Sequence, residues 1–84
     1  MSTVTLYGRP GCHLCDDART ALLKLRARVA FDLDEVDITR DDALHARYLE
    51  RIPVIALDGE ELFDYFVDEE TLAARLEARG DRRG

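Results

Sequence analysis

The sequence predicts an α/β domain: one four-stranded mixed sheet with helices on both faces, in the order β-α-β-α-β-β-α. Three observations predict it. Residues 3–8 alternate in the manner of a strand and give way directly to a helical apolar period. Val54-Ile55-Ala56-Leu57 is an unbroken apolar run, as expected of a central strand covered on both sides. Asp58-Gly59 follows it as a two-residue hairpin turn.

The elements follow in chain order. In Thr3–Gly8, Val4 and Leu6 share one face, and Gly8, Pro10 and Gly11 are expected to break the strand and let the chain turn. From Cys12 to Arg28, Leu14, Ala18, Leu22, Leu25 and Val29 form one apolar stripe. Asp16 and Asp17 lie early in this helix and Lys24, Arg26 and Arg28 late, which complements its dipole. Residues 31–38 read as an edge strand rich in carboxylates, with a bulge or an early exit expected where the alternation slips between Leu33 and Val36. Residues 41–50 form a short helix with Leu44 and Tyr48 on one face, ended by Pro53. Glu60–Tyr65 is the second hairpin strand, and a last helix spans Glu69–Arg79. Asp68 is its expected N-cap, Val67 and Leu72 a hydrophobic staple, and Gly80 its stop. The first crossover should be right-handed with parallel strands.

Size and charge bound the function. The 84 residues suffice for a single domain, with an ordered core over 3–79 and a frayed tail over 80–84. A net charge of −6 disfavours nucleic acid and offers no polybasic membrane anchor. No apolar run approaches the roughly 18 residues of a membrane span. Met1-Ser2-Thr3-Val4 does not read as the start of a signal peptide, so a cytoplasmic monomer is expected. In a reducing compartment a cysteine pair points to catalysis or metal binding rather than to a structural staple.

Both cysteines lie in Tyr7-Gly8-Arg9-Pro10-Gly11-Cys12-His13-Leu14-Cys15, where the first strand ends and the first helix begins. Unpaired N–H groups and the helix dipole stabilise a thiolate there, lowering a free-thiol pKa of about 8.5 to roughly 3.5–7.5 in such sites. Cys12 is therefore the expected exposed nucleophile, with Arg9 adding positive charge. Cys15, one turn further in, is the expected buried resolving thiol. His13 either stabilises the Cys12 thiolate or points to solvent. Tyr7 either flanks the site or belongs to the core. The chemistry expected is thiol–disulfide exchange that reduces disulfides of proteins or small molecules. The alternative is a binding module that holds a metal or an iron–sulfur cluster through Cys12. A mononuclear zinc site would need four ligands, and only His13 and His45 could supplement the thiols, at a spacing unlike any zinc finger, so no metal is assigned.

Tyr7–Cys15 together with Arg51-Ile52-Pro53-Val54 resembles the glutaredoxin-like branch of the thioredoxin superfamily, over residues 3–79. The resemblance implies a thioredoxin-like, glutaredoxin-type fold and a thiol–disulfide oxidoreductase with no tightly bound cofactor. Glutathione would be a co-substrate, and glutathione or a flavoprotein reductase the electron donor. It implies a cis Ile52-Pro53 peptide beside the thiols, with the Ile52 backbone free to pair with a bound peptide or with glutathione. It places Arg9 near a glutathione carboxylate and Asp68 near an ammonium group. Where the family has a Gly-Gly pair, this chain has Tyr65-Phe66-Val67, too bulky for the same approach of glutathione.

Overall fold

The computed structural model describes residues 2–81, with side chains through Ala78. The elements are β1 (Thr3–Gly8), α1 (His13–Arg26), β2 (Asp32–Asp37), a 3₁₀ turn (Ile38–Arg40), α2 (Asp42–Tyr48), β3 (Val54–Leu57), β4 (Glu60–Asp64) and α3 (Glu69–Asp81). The strands form one sheet in the order β2-β1-β3-β4. β1 runs parallel to β2 and antiparallel to β3, and β3–β4 is the antiparallel hairpin. This is the element order and mixed sheet that the pattern predicts, and the architecture that the resemblance implies. Among the described residues no helix is long and apolar enough to cross a membrane.

Alternation sorts the sheet into two faces. Val4 and Leu6 of β1 pair with Leu57 and Ile55 of β3, and all four pack with Ala18, Leu22 and Leu25 of α1 and Leu72, Ala73 and Leu76 of α3. The opposite face pairs Tyr7 with Val54, and these cluster with Ile38, Leu44 and Tyr48 from the 3₁₀ turn and α2. Both faces of β3 are thus covered, which is why all four of its residues are buried.

Several expectations change. Leu14 is not part of the buried stripe of α1, being 48% exposed; Cys15 takes that place, with Ala18, Leu22 and Leu25. Either residue fits the helical period with Ala18, Leu22 and Leu25, and the packing of α1 selects Cys15. β2 has no bulge. Its pairing with β1 is continuous from Thr3↔Asp32 to Gly8↔Asp37, so Leu33 and Val36 simply lie on opposite faces. The bulge falls instead in the hairpin, where Ile55 pairs with Phe63 but Ala56 with Glu61. The extra residue, Leu62, lets Leu62 and Phe63 both reach the α1–α3 cluster. β4 ends at Asp64, and α2 covers 42–48, because Ile38–Arg40 turns before it.

The hairpin turn is as predicted, with positive φ at Asp58 (50°) and Gly59 (90°). Asp68 caps α3 through the Thr71 amide at 3.2 Å, and Val67 packs against the cluster that holds Leu72. α3 does not stop at Gly80 but runs to Asp81. Glycine permits a left-handed helix end without compelling one. The rest of the expected frayed tail, 82–84, lies outside the described residues.

Candidate functional site

Gly11, at φ 79°, turns the chain from β1 into α1. Cys12 is the N-cap of α1: its extended backbone precedes the first helical residue, and its Sγ accepts the Cys15 amide at 3.2 Å. The Asp16 amide donates to the Cys12 carbonyl at 3.1 Å. A sulfur therefore occupies the position at which helix N-termini ordinarily receive an oxygen, and a thiolate would meet the same unpaired donors. Cys12 and Cys15 are joined in a disulfide, with Cα atoms 5.2 Å apart. Cys12 is half-buried, whereas Cys15 is 3% exposed. Cys12 is thus the more accessible of the two cysteines.

Cys15 belongs to α1 but clusters with Ile38, Tyr48, Ile52 and Val54, and Tyr7 and Cys12 pack against that cluster. Tyr7 thus serves the core beneath the pair, stacked on Tyr48 with ring centroids 4.6 Å apart. The Ile52–Pro53 peptide is cis and both residues are buried. The Ile52 amide is not free: it donates to the Tyr48 carbonyl at 3.0 Å. α2 ends in a tight turn at this point, and that turn consumes the donor which the family resemblance assigns to a bound peptide. Next to it, Tyr65 adopts φ 72°, a left-handed conformation that costs a bulky residue of the order of 1–3 kcal/mol. Its amide donates to the Pro53 carbonyl at 2.7 Å and its hydroxyl to the Glu50 carbonyl at 2.6 Å. Phe66 beside it is 68% exposed.

The other predicted residues are dispersed. Arg9 is exposed and lines a cleft of about 340 Å³ with Leu6, Gly8, Cys15, Val36 and Asp37. His13 points to solvent, with its Nε2 3.7 Å from Asp17 Oδ2. Asp68 spends its carboxylate on Thr71, whose amide and hydroxyl hold it below the usual carboxylate range. His13, Ile52, Pro53 and Asp68 do not border the cleft that holds Arg9 and Cys15. Among the described residues no group of three or more His, Cys, Asp or Glu side chains is placed to hold a metal ion.

A polar brace behind the site was not anticipated from the sequence. Glu61 of β4 accepts from the Tyr48 hydroxyl at 2.7 Å, from Arg51 at 2.6 Å and from Arg47 at 3.1 Å. Arg51 also donates to Asp64 at 3.1 and 3.2 Å. Both guanidinium groups lie over the Tyr48 ring, 5.4 and 5.3 Å from its centroid. These bonds, that from Arg51 foremost, hold the Glu61 carboxyl down to about 2. The brace ties the segment that ends in Ile52-Pro53 to β4.

The fold has counterparts. An uncharacterized protein of Mycobacterium tuberculosis is 34% identical over 78 residues, covering 87% of this chain and 80% of its own. The solution structure of a protein from Nitrosomonas europaea superposes with a TM-score of 0.79 at 32% identity, covering 89% of this chain and 91% of that one. An X-ray structure of a protein from X. campestris gives 0.73 at 42% identity, covering 89% and 96%. A thioredoxin from Halobacterium salinarum, 21% identical, shares the fold with a TM-score of 0.65, covering 92% of this chain and 73% of that one. The profile of the glutaredoxin-like domain (DUF836) matches residues 3–77. With its cysteine pair at the start of α1, the chain belongs to this glutaredoxin-like family and has the thioredoxin fold.

Proposed function

We propose that the chain is a dithiol–disulfide oxidoreductase in which Cys12 attacks and Cys15 resolves. The observation that carries this reading is the pair itself: a half-buried sulfur capping α1, bonded to a buried one a turn further in. The Cys12 thiolate attacks a substrate disulfide, forming a mixed disulfide and expelling one substrate thiolate. The Cys15 thiolate then attacks Cys12 Sγ and expels the second. Two protein thiols are oxidised, one substrate disulfide is reduced, and each departing thiolate takes a proton from water. Glutathione or a flavoprotein reductase would restore the dithiol, in a cytoplasm that keeps thiols reduced.

The substrate would be a protein or small-molecule disulfide that reaches Cys12 past Tyr65 and Phe66. These side chains argue against a close backbone approach by glutathione, so it acts here as a reductant rather than as a tightly held ligand. Disulfide reduction coupled to glutathione and its reductase, run beside thioredoxin reductase, identifies the donor. Cys12→Ser should abolish turnover, and Cys15→Ser should accumulate mixed disulfides visible by mass spectrometry. The opposite pattern would reverse the two roles, and turnover by Cys12→Ser would remove the reading altogether.

A further inference from the structure

Gly8 is the last residue of β1, buried and still paired with Asp37 of β2. It was expected to break the strand, yet it is part of it, and its backbone does not lie in the left-handed region that favours glycine. The reason for glycine here is space. A Cβ on this residue would fall 2.8 Å from Cys15 Sγ and 3.1 Å from Cys15 Cβ. Side-chain carbons do not approach other heavy atoms below about 3 Å, because repulsion rises steeply inside the contact distance. The neighbour cannot easily yield. In the oxidised pair the Cys15 sulfur is bonded to Cys12, and in either redox state its Cβ is fixed on the buried face of α1 with Ala18 and Leu22.

We propose that Gly8 is the positioning residue of the resolving thiol. The missing side chain at the end of β1 lets α1 approach until the Cys15 sulfur meets Cys12. This deepens the proposed function and rests on it. In the resolving step the Cys15 thiolate attacks Cys12 Sγ, the Cys12–Cys15 bond forms, and the bond from Cys12 to the substrate breaks. The substrate sulfur leaves as a thiolate and takes a proton from water. That displacement needs the three sulfurs nearly in line. A methyl group on residue 8 displaces the attacking sulfur and leaves Cys12, on the far side of the pair, in place. Gly8 therefore governs the second step of the exchange and not the first.

The test is Gly8→Ala in the full chain, followed in a single turnover against a model peptide disulfide. Alkylation of Cys12 and formation of the first mixed disulfide should stay within about twofold of wild type. Decay of the mixed disulfide should slow by at least about tenfold, so that it accumulates as it does in Cys15→Ser. Resolution within threefold of wild type would overturn the proposal. A second measurement needs no substrate turnover: the equilibrium of Cys12 and Cys15 with dithiothreitol, read by alkylation and mass. The oxidised fraction should fall in Gly8→Ala, and an unchanged fraction would also overturn the proposal. If wild type attacked no disulfide at all, the proposed function would fail, while this equilibrium would still decide the role of Gly8. Should Gly8→Ala not fold, Gly8→Ala with Cys15→Ala removes the sulfur that the methyl meets. Recovery of folding supports the contact, and failure of both variants makes Gly8 a packing residue only.

Discussion

The two faces of the sheet are built on different principles. The α1–α3 face is held chiefly by apolar contact: Val4, Leu6, Leu22, Leu25, Phe31, Ile55, Leu57 and Leu72 are almost fully buried there, and the ion pairs Arg19–Glu35 and Arg75–Glu60 lie exposed outside that core. The α2 face has a smaller cluster, carries the Cys15 sulfur, and is finished by the hydrogen-bonded charges of Arg47, Arg51, Glu61 and Asp64 around Tyr48. Apolar packing is non-directional and tolerates small rearrangements. Hydrogen bonds to charged groups impose geometry. The comparison suggests that stability is concentrated on one face and precision on the other, where the segment ending in Ile52-Pro53 has to be held against the thiol pair.

The largest effect should come from the first face. Leu22 is fully buried among β1, β3 and α3 side chains, so Leu22→Ala should cost about 3 kcal/mol of unfolding free energy, through lost burial and the cavity left behind. In a domain of this size that is a large share of the total. Denaturant melts measure it, and a loss below about 1 kcal/mol would break the division of labour drawn above.

The charged brace should contribute less, and with a pH signature. Glu61 has a carboxyl held at about 2 in the fold against an ordinary 4.5. Its contribution is therefore complete above about pH 4.5 and is lost as the pH falls toward 2. With the carboxylate partly exposed, we expect on the order of 2 kcal/mol at neutral pH. Glu61→Gln should flatten the stability profile between these two values and lower disulfide reduction more than Leu22→Ala does per folded molecule. Equal activity losses in the two variants would show that the brace only stabilises.

The smallest effect is expected at Asp68. If its carboxylate serves only to cap α3 through Thr71, Asp68→Ala lowers the melting temperature by a few degrees and leaves turnover per folded molecule unchanged. A raised KM for a substrate carrying an ammonium group, at unchanged stability, would instead assign it to substrate binding.

Much of this was readable in the chain. Period-2 and period-3.6 patterns located the elements, Asp58-Gly59 located the hairpin, and the Cys12–Cys15 spacing at a strand-to-helix junction located the chemistry. What misled was local ambiguity. Leu14 and Cys15 are neighbours that both fit an apolar stripe, and only the packed helix shows Cys15 inward. The slipped alternation of Leu33 and Val36 suggested a bulge, but an edge strand with both faces partly covered needs none. His13 and Asp68 lie in suggestive positions, yet His13 points to solvent and Asp68 caps its own helix.

The sequence by itself determined the order of elements and placed the cysteine pair where the first strand gives way to the first helix. These depend on spacing along a few turns or strands, and backbone geometry converts such spacing directly into shared faces. Only the tertiary structure decided that Gly8 faces the Cys15 sulfur, that Tyr48 takes the Ile52 amide, and that Glu61 gathers Tyr48, Arg47 and Arg51. Each of these depends on how closely separate segments approach one another. That distance is set by packing across the whole domain, and no local period records it.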